Sequence, residues 1–167
     1  QRGGVVGIED WVRPSAVVVD GTRSYTWVGN GGLDIAGDLV KRNSGVLMLQ
    51  NTNVLGALRV ENGTLVTMSS AALGADTTPV IVTNNATWDI RGVSNQFRVV
   101  TVSGDGVGNQ GAIVNNGGAN MSAFRFLQIA GDVTFGGYNR WDVRNTAGAG
   151  YVSTLNQPFC VTKVGPS

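Results

Sequence analysis

Short strand-like runs of about three to six residues recur along the whole chain, and clusters of Gly, Asn, Asp and Ser separate them. The runs are 16–20, 25–28, 33–35, 46–49, 57–60, 65–68, 79–83, 87–91, 98–102, 112–114, 124–129, 133–135, 140–144 and 158–163. The separators include Asp20-Gly21, Gly29-Asn30-Gly31-Gly32, Asn62-Gly63, Asn115-Asn116-Gly117-Gly118 and Gly136-Gly137. These residue types enter positive-φ turns at low cost. Short runs rich in Val and Thr predict strands. A chain with this many short strands closes its core as a sandwich, a barrel or a solenoid.

Composition removes other classes. The helix-favouring mixture of Leu, Glu, Lys and Ala is missing, and Lys41 and Lys163 are the only lysines. That excludes a helical bundle and argues against a doubly wound α/β fold. With 42% hydrophobic residues the chain can build a core, which argues against disorder. A net charge of +1 leaves no electrostatic footprint for nucleic acid or an anionic membrane. No apolar run approaches the roughly 18 residues of a membrane-spanning helix. The 167 residues fit one domain. The opening Gln1-Arg2-Gly3-Gly4 is neither an initiator Met nor a signal peptide. The expectation is a single domain over 1–167 taken from a longer secreted multidomain protein.

Internal similarity favours the solenoid. Ile35-Ala-Gly-Asp38 recurs as Ile129-Ala-Gly-Asp132, and Thr87-Trp-Asp-Ile-Arg91 as Arg140-Trp-Asp-Val-Arg144. Lys41-Arg-Asn-Ser-Gly45 has a shorter echo in Lys163-Val-Gly165. Repeats without a strict period suit coils whose loops vary in length. Coils of roughly 20 residues predict about seven turns stacked at about 4.8 Å. Asn-rich turns fit as well, because stacked Asn side chains can hydrogen-bond. Strand spacing alone leaves a sandwich open.

From Val40 to Leu65 the pattern is Lys41, Gly45, Leu47, Leu49, Asn53, Gly56, Val60, Gly63, Thr64 and Leu65, continued by Ala72-Leu73-Gly74. This segment resembles the autotransporter-associated β-strand repeat, and Val54-Leu55 departs from it. The resemblance implies an all-β, right-handed parallel β-helix, exported to the outside of a Gram-negative-type bacterium. It also implies that Thr162-Lys-Val-Gly165 opens another repeat. The family has no shared enzymatic activity, so no catalytic residue carries over.

The chemistry is sparse. Without His, His-based acid–base groups and His metal sites are excluded. Of the 11 carboxylates only Glu9-Asp10 are adjacent. Asp89 and Asp142 follow Trp in matching motifs, but Arg91, Arg140 and Arg144 flank them, and an outward salt-bridge ladder is expected. Gly104-Asp105-Gly106-Val107-Gly108-Asn109 offers one carboxylate where calcium wants several oxygen ligands, so it reads as a turn. No metal or cofactor is expected. Asn62, Asn85 and Asn120 open chance matches to the glycosylation sequon. Cys160, inside Phe159-Cys160-Val161, is expected to be a buried, inert thiol.

Aromatic residues pose the sharper question, since sugars pack their C–H faces on exposed flat rings. Alternation along a strand sorts them. Trp88 shares a face with Ala86 and Ile90, and Trp141 with Val143, so both are expected inside. Phe97, in line with Val99 and Thr101, is expected inside too. Phe124 and Phe126 fit either side, and Trp11 fits a cap over the first coil. If Val28 points inward, Tyr25 and Trp27 form an exposed pair. Tyr138 and Tyr151 lie in Gly-rich turns. The ligand-binding candidates are therefore Tyr25, Trp27, Tyr138 and Tyr151.

The expected function is a non-catalytic extracellular module that binds polysaccharide, of plant cell-wall type such as xylan, appended to a carbohydrate-active enzyme or surface protein. The alternative is a structural stalk or passenger segment of a bacterial surface adhesin or autotransporter. A lyase or hydrolase is the third class, and it would need a carboxylate or Arg cluster in a groove.

Overall fold

The fold is set by two columns of apolar residues, each advancing one residue per turn of the chain. In a computed structural model that describes residues 3–83, 85–144 and 148–166, Gly4, Tyr25, Leu47, Leu65, Trp88, Ile113, Phe135 and Lys163 pair successively in parallel register. A second column runs Val17, Leu39, Leu58, Val80, Val100, Leu127 and Val152. The chain is a parallel β-solenoid of about seven turns.

Among the described residues sixteen strands make the turns: β1 (Gly4–Gly7), β2 (Val17–Asp20), β3 (Tyr25–Val28), β4 (Asp38–Arg42), β5 (Val46–Leu49), β6 (Ala57–Val60), β7 (Gly63–Thr67) and β8 (Val80–Val82), followed by β9 (Ala86–Asp89), β10 (Val99–Gly104), β11 (Ile113–Asn115), β12 (Asn120–Phe124), β13 (Phe126–Gly137), β14 (Trp141–Val143), β15 (Tyr151–Ser153) and β16 (Val161–Lys163). The first face stacks β1, β3, β5, β7, β9, β11, the end of β13 and β16. The second stacks β2, β4, β6, β8, β10, the start of β13 and β15. β13 turns the corner and belongs to both. A third side is carried by the bridges Val12–Leu33 and Asp34–Val54, a 3₁₀ turn at Ser70–Leu73, and the β12–β14 pair.

Alternation along the strands fills the lumen. Leu47 and Leu49 are fully buried, while Val46 and Met48 lie on the outer side. Toward the C-terminal end the filling is aromatic. Phe124 meets Trp88 and Trp141 edge-on at 5.6 Å each, and Trp141 meets Phe135 at 5.3 Å. The indole N–H of buried Trp88 donates to Thr67 Oγ1, and that of half-buried Trp141 to the Gly136 carbonyl, so neither ring leaves a polar atom unpaired. Trp88 and Trp141 therefore pack inward as their neighbours predict. Phe124 points in and Phe126 out.

Among the described residues two cations are fully buried, and both act on backbone carbonyls. A coil corner presents carbonyls that no strand can pair, and leaving them bare is costly. Lys41 Nζ donates to the carbonyls of Arg42, Asn43 and, one turn on, Asn62. Burial pulls its ammonium below the ordinary lysine pKa, against the opposing pull of Asp20. Lys163 repeats the first of these contacts, donating to the Val164 carbonyl. Arg98 reaches back one turn to the loop after the 3₁₀ turn and donates to the carbonyls of Ser70, Leu73, Gly74, Ala75 and Thr78.

Arg98 also explains a correction. Phe97 and Val99 point outward and are exposed, while Arg98, Val100 and Val102 point in. Parity by apolarity fails here because the guanidinium points inward, where five backbone carbonyls accept from it. Cys160 is likewise exposed rather than buried, since the apolar triplet around it lies on the last turn. Its amide donates to Asp132 and its Sγ lies 3.9 Å from Thr162 Oγ1. Trp11 is exposed, 47% of its surface open. The outer side carries ion pairs between successive turns, Arg13–Asp34, Arg42–Glu61 and Arg59–Asp38, all partly exposed and worth little individually.

Leu49→Ala is expected to lower unfolding free energy by about 2–5 kcal/mol, measured by chemical denaturation, because it empties a filled lumen position. Arg98→Leu is expected to act locally. Amide hydrogen exchange between Ser70 and Thr78 should accelerate at least tenfold, consistent with about 1–3 kcal/mol for buried carbonyls left bare.

Candidate functional site

The outer surface of the first face carries a groove over its later turns. The groove follows from turn length. Val46 pairs with Thr64, 18 residues on, but Trp88 pairs with Ile113, 25 residues on. Part of the surplus is the loop from Gly104 to Gly111, which folds back against β9. Thr87 pins it with one hydroxyl that accepts from the Val107 amide and donates to the Gly111 carbonyl, both at 2.8 Å. Gly106 is required there: its φ is +75, and a Cβ would sit 2.0 Å from the Gly111 oxygen. Asp105 anchors the loop base by accepting from the Thr134 hydroxyl.

The groove this loop walls has a volume of about 490 Å³. Thr64, Thr87, Asp89 and Val114 lie along it, Val107 and Gln110 come from the loop, and Asn116 and Tyr138 stand with Gly165 and Pro166 toward the far end. The residues come from successive turns, so the groove runs parallel to the solenoid axis. Four steps separate Thr64 from Gly165, roughly 19 Å at ordinary strand spacing. Tyr138 projects with 75% of its surface exposed. Its backbone is held by the Asn115 carbonyl, which accepts from both Tyr138 and Asn139. Gly137, at φ +111, lets the chain pass where a Cβ would meet the Asn115 amide at 2.4 Å.

Asp89 sits in the groove wall and is nearly buried. Its Oδ1 accepts from the amides of Arg91 and Asn116, and its Oδ2 from the Asn116 side chain. This overturns the expected salt-bridge ladder at Asp89. Three N–H donors from two turns satisfy the carboxylate, and the Arg91 guanidinium donates instead to the Asn116 carbonyl. At Asp142 the pairing with Arg140 is as expected, and that guanidinium holds the carboxyl below its usual pKa. Among the described residues no group of three or more Cys, Asp or Glu side chains is placed to hold a metal ion.

The structure scatters the four aromatic candidates. Tyr25 and Trp27 point inward, opposite Leu47 and Leu49, and Trp27 is 9% exposed, so the exposed pair is corrected. β3 is ambiguous by itself because its aromatic residues, Tyr25 and Trp27, occupy one parity and its β-branched residues, Thr26 and Val28, the other. The missed signal is register: the Leu47-x-Leu49 pattern one turn later decides which parity faces the lumen. Tyr151 is exposed on the second face, away from the groove, and stacks on Phe126 with centroids 5.7 Å apart and planes 11° apart. One of its ring faces is thus covered. The Arg125 guanidinium lies 5.1 Å over the Phe126 ring. Tyr138 alone of the four stands at the groove. Thr64, Gln110 and Asn116 were not foreseen, because the loop that makes them a site closes only through Thr87.

No family model matches the chain, and no curated protein or solved structure matches it either.

Thr87→Val keeps the shape and removes both pinning bonds. The Val107 amide is expected to exchange about ten to a hundred times faster, corresponding to about 1–3 kcal/mol of local stability, while strand amides in β5 and β6 keep their protection.

Proposed function

We propose that the protein is a non-catalytic, extracellular carbohydrate-binding module that lays a polysaccharide chain along the solenoid axis, in the groove between Thr64 and Tyr138. The observation that carries this is the groove itself. It lines up an exposed ring with hydroxyl, amide and carboxylate groups drawn from successive turns. Sugar sites combine these elements: a ring for the C–H face and convergent polar groups for the hydroxyls. A rigid scaffold holds them, so little side-chain ordering is needed on binding. Among the described residues the groove's lining contains a single carboxylate, whereas glycoside hydrolysis ordinarily uses two, about 5–9.5 Å apart. The resemblance of Val40–Leu65 to exported repeats supports a location outside the cell, and appending such a module to a carbohydrate-active enzyme or surface protein fits its size.

Affinity electrophoresis against plant cell-wall polysaccharides, xylans included, tests the reading. Retardation by at least one polymer is expected, with no release of reducing ends. Tyr138→Ala should weaken binding several-fold, as loss of about 1 kcal/mol of ring stacking implies. Tyr151→Ala serves as the comparison: weakening there and not at Tyr138 moves the site to the second face. Retardation by no polymer at all replaces this reading with a structural spacer.

A further inference from the structure

We infer that the groove is built for neutral polysaccharides and that Asp89 rejects polymers of uronic acids; this rests on the glycan-binding reading above. Among the described residues lining the groove, Asp89 is the only ionisable side chain apart from the Tyr138 phenol, and no Lys or Arg stands among them. The nearby cations lie outside the lining. The Arg91 and Lys163 charges are directed at backbone carbonyls, and Arg140 is paired with Asp142. A uronate carboxylate entering the groove would meet a like charge and no cation among the described lining residues. Because Asp89 is nearly buried, solvent screens its field less than it would at an open surface.

The same geometry suits a neutral chain. A carboxylate offers about four lone-pair sites. Three N–H donors fill three at Asp89, which leaves one for a sugar hydroxyl. The remaining side chains, those of Thr64, Gln110 and Asn116, are uncharged and can match hydroxyl groups as donors or acceptors. Asp89 is thereby a structural clamp between two turns and the charge that sets selectivity.

The test compares neutral and carboxylated forms of one backbone: arabinoxylan with glucuronoxylan, and hydroxyethyl-cellulose with carboxymethyl-cellulose. The readout is the ratio of affinities within a pair, for the unsubstituted protein and for Asp89→Asn. Asn at this position still accepts from both amides through Oδ1 while the Asn116 amide turns over. The expected result is at least tenfold preference for the neutral member, reduced several-fold or more in Asp89→Asn. Should that variant fail to fold by circular dichroism, salt dependence in the unsubstituted protein decides. A gap caused by charge narrows as salt rises, and a gap of steric origin stays. Equal or tighter binding of the carboxylated member, or a gap unmoved by both Asp89→Asn and salt, overturns the inference and leaves the glycan-binding reading standing. Binding of neither member of either pair, nor of any other polysaccharide, overturns both.

Discussion

Each turn of this chain must present its backbone to the turn before it and the turn after it, and everything else follows from that parallel stacking. A strand in the middle of the stack is hydrogen-bonded on both edges, so its side chains are sorted only by in and out. The inward residues then form columns along the axis, and a column tolerates size changes better than it tolerates gaps. Leu47, Leu65 and Trp88 succeed one another in one column. The fit is restored by neighbours, as when Thr67 takes the Trp88 indole proton. The difficult places are the corners, where carbonyls leave the ladder. Lys41 and Arg98 answer that difficulty by bringing several donors to one point. Their burial is tolerable because each donor has a carbonyl to meet; only the Arg98 Nε remains unpaired.

Stacking also determines where novelty can be added. A turn may gain residues only at a corner, because an insertion within a strand would shift its parity and turn the column inside out. The 18-residue step at Val46 is close to the bare requirement, and the steps at Trp88 and Val133 exceed it. Part of the excess at the first of these is the Gly104–Gly111 loop. Its base and tip are tied to Thr134 and Thr87, so it stands as a wall instead of trailing in solvent. The groove is therefore a by-product of unequal turn lengths on an otherwise uniform surface.

Much of the fold was legible in the sequence because strand runs, turn residues and internal echoes all report the same periodicity. The runs at 25–28, 46–49 and 57–60 coincide with β3, β5 and β6. Less legible were strands with little apolar character, such as β4, whose Asp38-Leu-Val-Lys-Arg42 reads as a charged turn until the Lys41 cage is seen. Parity failed at Phe97 and at Trp27 for one shared reason. Alternation assumes that polar residues face water, and a buried guanidinium, or a strand with aromatic residues on one side and β-branched ones on the other, gives it no guide. Register with the adjacent turn resolves both cases. The candidate site was legible only at Tyr138. Asp89 was read as an outward charge because its Arg neighbours are close in sequence, while the donors that claim it, the Asn116 amide and side chain, lie 27 residues away.

The two roles of Asp89 bear on how such a groove could acquire selectivity at all. A carboxylate placed at an open surface would be screened and would discriminate weakly between neutral and acidic polymers. Sunk into the wall, it keeps its field but must be compensated, and a lysine or arginine partner would cancel the charge that a ligand meets. Backbone and amide N–H groups compensate without cancelling: they solvate the carboxylate with dipoles and leave its net charge in place. The fold supplies such donors only where two turns meet at a corner, as at Arg91 and Asn116. The position that is best for joining turns is for that reason also the position from which one charge can act along the groove.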